Sequence, residues 1–167
     1  ISIRKGDFLS EAALEAETER ASKSMRDTGY YTFSKNHFFF EADTLDRPGS
    51  ALLKMTVNEY TRNESPLLAQ PIRKFYFNDV TVSYPKSMNI KEKVLRELTT
   101  IVPGEQYSPE IVNNTYTRLS ALRMFSSVNI GMTQADTNLV NCEISLAQSK
   151  MQGFKVNLES SINTSGR

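Results

Sequence analysis

With 167 residues, 39% of them hydrophobic and 23% charged, the chain has the make-up of one globular domain or two small ones, not of a disordered or fibrous protein. A net charge of +1 gives no general pull toward nucleic acid or an acidic membrane surface. The single cysteine, Cys142, excludes an internal disulfide framework and a cysteine zinc cluster, and no apolar run approaches the roughly 18 residues of a membrane helix.

The chain opens Ile1-Ser2-Ile3, with neither an initiator methionine nor a signal peptide, and is read as part of a longer precursor. Residues 10–27 read as a helix. Ser10 is a candidate N-cap, and Leu14, Thr18, Ala21 and Met25 fall on one face opposite Glu15, Glu19 and Lys23. Gly29 supplies the exit. Tyr30–Ala42 has the aromatic composition of a strand, Asp46-Arg47-Pro48-Gly49 signals a turn, and Leu52–Tyr60 alternates as a second strand.

Arg62–Pro71 looks like a linker. Phe75, Phe77, Val80 and Val82 then mark a strand closed by Pro85, and residues 89–98 a short helix with Asn89 as cap. Pro103-Gly104 breaks the chain. Ser108 and Pro109 open another helix with the stripe Ile111, Val112, Thr115, Leu119 and Leu122. Val128 and Ile130 begin a strand, Ala135–Asn138 turns it, and Leu139–Leu146 returns. Leu119, Leu122, Phe125, Val128 and Ile130 are expected to be buried together.

The order helix, strand, strand thus occurs twice. Gly6-Asp7-Phe8-Leu9-Ser10 parallels Gly104-Glu105-Gln106-Tyr107-Ser108, and Tyr31 parallels Phe125, with the register between these anchors differing by about one helical turn.

Chemistry is sparse. His37, the only histidine, is expected in a strand in a structural role, and Cys142 as a small buried strand residue. Ser83-Tyr84-Pro85-Lys86 matches a Ser-x-x-Lys pattern, but Pro85 interrupts the helix that pair needs. Asp43 and Asp46 fit a solvated turn better than a cation site. No catalytic set, metal site, cofactor or phosphate loop is expected. The aromatic run Tyr30–Phe40 reads as packing under the helix, as part of a domain interface, or as a platform for a client chain or stacked bases. Because Phe38-Phe39-Phe40 breaks alternation, at least one of these rings must face away from the local core.

The repeat unit, carried by Gly104–Ser108 with Leu119, Leu122, Phe125, Val128 and Ile130, and by the exit Gly29-Tyr30-Tyr31-Thr32-Phe33, resembles the POTRA domain of outer-membrane assembly proteins of the BamA and TamA type. The resemblance implies an α+β fold of tandem β-α-α-β-β units, each a three-stranded mixed sheet with two helices on one face. Residues 1–62 would be an incomplete first unit, 63–71 a linker and 72–150 a complete unit. Residues 151–167, alternating from Phe154 to Glu159, would be the start of a membrane barrel or a linker strand.

The resemblance also implies a periplasmic location at a bacterial outer membrane, no enzymatic activity, and binding of extended clients by strand addition. The implied partners are unfolded outer-membrane proteins, accessory lipoproteins or neighbouring POTRA units, with the membrane reached through a C-terminal barrel and no role for nucleic acid. The implied edges are Tyr31–Phe40, with Tyr31, Phe33, Phe38, Phe39 and Phe40, and Ser127–Met132, with Ser127, Val128, Asn129, Ile130 and Met132. POTRA-like units of two-partner secretion pores or of division scaffolds are the alternatives. A KH-like nucleic-acid module would need a Gly-x-x-Gly loop with a basic patch, and the sequence offers neither.

Overall fold

The structure is a computed structural model that describes residues 2–44, 49–61, 69–70, 72–88 and 90–148. The expected tail strand at 154–162, Asn89, Asp46 and most of the stretch read as a linker lie outside the described residues.

The first helix, α1, spans Glu11–Asp27. Ser10 caps it in extended conformation, its Oγ accepting from the Ala13 N–H at 3.2 Å, as the sequence predicts. At the other end Gly29 is left-handed, with φ of +102°. Its N–H donates to Arg26 O and that of Tyr30 to Met25 O, the paired bonds of a Schellman exit. Leu14, Ala21 and Met25 are only half-buried. The most buried residues are the polar Glu17, Thr18 and Ser22. Glu17 is tolerated there because Arg20 forks onto its two oxygens and Ser2 donates to it through both its backbone N–H and its hydroxyl.

The strand expected from Tyr30 starts eight residues late. Tyr31 N donates to Gly29 O, Phe33 N to Tyr30 O and His37 N to Ser34 O, so the exit continues through tight turns into a 3₁₀ turn at Lys35–His37. Backbone groups committed to local bonds cannot serve a ladder, whatever the aromatic composition favours. Tyr31 and Phe33 are therefore not strand residues, and neither is His37. Strand β1, Phe38–Asp43, pairs antiparallel with β2, Leu52–Val57, in the register Phe38↔Val57 to Asp43↔Leu52. Phe39 faces solvent while Phe38 and Phe40 are half-buried, so one ring of the run does point away from the local core. The stretch read as a linker contains a strand, β4, Ala69–Gln70, which pairs antiparallel with β3, Tyr60–Thr61, just before it.

The second unit contains β5 (Tyr76–Ser83), α2 (Glu92–Leu98), α3 (Pro109–Ala121), β6 (Phe125–Asp136) and β7 (Leu139–Gln148). The sheet order is β5-β7-β6, parallel between β5 and β7 and antiparallel between β6 and β7. Alternation along β7 explains its central place. Val140, Cys142, Ile144 and Leu146 are buried, and join Phe75, Phe77, Leu95, Ile101, Tyr107 and Leu119 in one core. The opposite face is polar, with Asn78 bonded to Asn141 at 2.8 Å and Ser83 to Ser145 at 3.2 Å. Helices thus cover one face only, and the chain is α+β with a three-stranded mixed sheet.

Three expectations fail locally. Leu122 is 38% exposed, because it caps α3 at the point where the chain turns away, while Phe125, Val128 and Ile130 do pack on the core with Leu119. The Ser108 hydroxyl makes no cap bond, and Pro109 alone marks the helix start. The short helix begins at Glu92, preceded by Lys91.

The repeat has a structural basis. Arg4–Asp7 and Val102–Glu105 are both β-turns, closed by Asp7 N to Arg4 O and Glu105 N to Val102 O. Gly6 (φ +96°) and Gly104 (φ +88°) occupy the third position, where a type II turn requires positive φ. Each helix starts after the fourth residue beyond its glycine, and each exits through a left-handed residue, Gly29 or Arg123 (φ +53°), two residues before Tyr31 or Phe125. The one-turn slip in register is the extra length of α1, at 17 residues against 13 for α3.

Candidate polypeptide-binding edge

Strand β6 pairs with β7 on one side and with no described strand on the other. Which of its backbone groups face outward follows from β7. Asn138 O accepts from Tyr76 N at 2.9 Å, and Ile144 O accepts from Ser83 Oγ at 3.5 Å, so Ile144 directs its backbone polar groups toward β5. Opposite residues of an antiparallel pair point their N–H and C=O either at each other or both away. Ile130 stands opposite Ile144, Val128 opposite Leu146 and Met132 opposite Cys142, with no register shift among them. Val128, Ile130 and Met132 therefore turn their N–H and C=O groups to the open side. Ser127, Asn129 and Gly131 use theirs on β7.

The side chains of Val128 and Ile130 lean toward the helical layer. They form one wall of an open groove of about 360 Å³ whose other wall is Tyr107, Pro109, Val112, Asn113 and Tyr116. No lining residue is charged. Tyr107, Asn113 and Tyr116 were not expected at a binding site, because their approach to β6 depends on how α3 crosses the sheet. Val112 was legible only as part of the helix stripe. Burial and neighbouring Tyr31 push the Tyr107 hydroxyl up to about 12, so it stays neutral at any ordinary pH.

The residues expected to form the other edge are split. Phe38, Phe39 and Phe40 lie on β1. Phe33 is buried, stacked on His37 at 4.6 Å and edge-on to Phe38 at 5.5 Å. His37 is fully buried, its Nδ1 accepting from the Ser34 N–H at 3.1 Å, which fits a structural role. A smaller groove of about 210 Å³ opens between α1 and β1–β2, lined mainly by Ala21, Met25, Phe33, Phe38 and Val57, with Arg20 also present.

Tyr31 belongs to the joint between the two units. Its ring lies 5.5 Å from Phe75 and 5.0 Å from Tyr107, and its hydroxyl reaches Met132 O at 3.4 Å. Beside it Phe75 N donates to Gly29 O at 2.9 Å, and Gln106 Nε2 to Thr28 O at 3.0 Å. A Cβ on Gly29 would stand 2.7 Å from Gln106 Nε2, at the end of an exposed and flexible side chain, so it is the positive φ that calls for glycine here.

Cys142 is buried in β7, and burial pushes its thiol up to about 11, which removes nucleophilic character. Among the described residues no three His, Cys, Asp or Glu side chains gather as a metal site, and no helix is long and apolar enough to cross a membrane.

No protein-family model matches the chain, and no curated protein matches it in sequence. Solved structures do match. BamA from Haemophilus ducreyi lacking POTRA domains 1–3 superposes with a TM-score of 0.54 at 12% identity, over 89% of this chain and 25% of that one. POTRA domains 3–5 of Haemophilus influenzae BamA superpose with a TM-score of 0.52 at 11% identity, over 87% of this chain and 52% of that one. This chain thus spans between a quarter and about half of the length of the structures it matches, and what it shares with them is the POTRA-domain fold.

Proposed function

We propose that the chain is a non-catalytic polypeptide-binding part of an outer-membrane β-barrel assembly factor, facing the periplasm, and that it holds extended segments by adding them to β6. The observation that carries this reading is the edge itself. Val128 and Ile130 offer outward N–H and C=O groups that no described strand pairs, beside an uncharged groove in which alternate side chains of an added strand can be buried. Backbone pairing is indifferent to side-chain identity, and an uncharged groove suits segments with apolar residues at every second position. Strands destined for a membrane barrel have that pattern. Unfolded outer-membrane proteins fit best, and a strand from an accessory lipoprotein or another POTRA unit would use the same edge. Residues 151–167 are read as leading toward the membrane.

Proline at an outward-facing position tests the reading, because it removes an N–H that only a partner uses and spares the bonds to β7. A peptide of alternating valine and threonine should bind the unaltered chain and protect the Val128 and Ile130 amides from exchange. Ile130→Pro should weaken binding roughly tenfold or more relative to Ile130→Ala, which loses the side chain alone. Equal binding by the two variants overturns strand addition at this edge.

A further inference from the structure

Strand β6 continues past Met132 to Asp136. Thr133, Gln134 and Asp136 remain paired with β7 and are exposed, and Gln134, opposite Val140, repeats the outward orientation of Ile130 and Met132. At Met132, however, the outward carbonyl already has a partner. The Tyr31 hydroxyl stands at 3.4 Å, in the place where an added strand would bring a backbone N–H. That distance makes a long hydrogen bond, so the bulk of the ring contributes as much to exclusion as the bond does.

Tyr31 is not free to swing aside. The Schellman exit of α1 delivers it, Gly29 O and Thr28 O are tied to Phe75 and Gln106, and the ring is held against Phe75 and Tyr107. Tyr107 in turn lines the groove, so the wall of the groove and the seat of Tyr31 are one residue.

We infer that Tyr31 of the first unit is an end-stop for the edge of the second. It confines an added strand to the stretch Phe125–Gly131 and fixes its register by closing the edge at Met132. This rests on the strand-addition reading and gives it a length. The segment accepted is an uncharged, alternating one of about seven residues, roughly 23 Å when extended, and a longer client must leave the edge at Tyr31.

The experiment uses the full chain and two peptides of alternating valine and threonine. One is long enough to pair with Phe125–Gly131 only, and the other continues past Gln134. In the unaltered chain both should protect the amides of Val128 and Ile130 from exchange, neither should protect Gln134, and their affinities should agree. In Tyr31→Ala the longer peptide should protect Gln134 as well and bind roughly fivefold more tightly than the shorter one. Tyr31→Leu, which keeps an apolar side chain against Phe75 and Tyr107 but has no hydroxyl or ring to reach Met132 O, should do the same, which guards against a folding defect from the emptied seat. Protection of Gln134 in the unaltered chain, or no gain for the longer peptide in both variants, overturns the end-stop. Absence of protection at Val128 and Ile130 with either peptide overturns strand addition itself.

Discussion

Two turn–helix–strand modules occur in this chain, built with the same connections around different interiors. Behind α3 lie α2 and the sheet, which bury Leu95, Ile101, Leu119 and the alternate residues of β7. The inward face of α1 presents Glu17, Thr18 and Ser22, and the Ser22 hydroxyl is buried with no hydrogen-bond partner among the described residues. Turns, caps and exits are thus enough to shape a module, but an apolar interior comes only with a full complement of elements. The first module gains part of its support from the second, through Gly29 and Tyr31.

The strongest test of that contrast uses equivalent positions. Leu119 and Met25 each stand four residues before the left-handed exit of their helix. Leu119→Ala removes a fully buried side chain and should cost about 2–5 kcal/mol in urea unfolding, whereas Met25→Ala, at a half-buried site, should cost about 1 kcal/mol. Equal costs would mean that the first interior is as well packed as the second.

The exits give effects of opposite sign. Gly29→Ala introduces a Cβ at positive φ and against Gln106, and should destabilise by about 1–2 kcal/mol. Arg123→Gly relieves a strained residue and should raise the melting temperature, with a gain of roughly 0.5–1 kcal/mol. The entries differ less. Ser10→Ala should cost about 1 kcal/mol because its hydroxyl caps α1, while Ser108→Ala should stay within about 0.5 kcal/mol because its hydroxyl caps nothing. A matching loss at Ser108 would show that a cap bond forms there after all.

Acid should produce the smallest difference. The Arg20 side-chain hydrogen bond, with further bonds from Ser2, holds the Glu17 carboxyl well below the usual range and outweighs the burial that alone would raise it. A depressed carboxylate stabilises the fold above its ordinary pKa, and that contribution fades as pH falls through the folded value. Arg20 is half-exposed, so solvent screens the pair and the effect is modest. Exchange of the Ser2 amide, which donates to Glu17, should accelerate below the ordinary glutamate range relative to its intrinsic rate, and Glu17→Gln should flatten that dependence.

Much of this architecture is legible in the sequence wherever one residue type has one physical use. Ser10, Gly29, Pro109 and the alternation in Leu139–Leu146 each announce their roles, and the two glycines at 6 and 104 mark matching turns. Composition misleads at Tyr30–His37, because aromatic residues favour strands only while their backbone is free to pair, and the Schellman exit takes those groups first. Leu122 fits the helical stripe, yet it falls where the helix has already ended. Ser127–Met132, implied as an edge by the resemblance alone, lies on β6 at the end of the sheet order β5-β7-β6. The groove beside it was not legible, because Tyr107 and Tyr116 reach Val128 through the crossing of α3 over the sheet, which no local spacing encodes. Tyr31, expected as an edge residue of its own unit, instead touches the edge of the other.

Cys142 gives the molecule a reporter that needs no engineering. It is the sole thiol of the chain, it sits in the central strand of the complete sheet, and its high pKa leaves almost no thiolate near neutral pH. An alkylating reagent can modify it only when that strand is uncovered, so the labelling rate is a clock for opening of the second unit. A peptide seated on β6 should slow the clock by mass action, in proportion to how much it favours the closed state. Variants of the first unit that leave the clock unchanged can then be separated from those that loosen the sheet behind it.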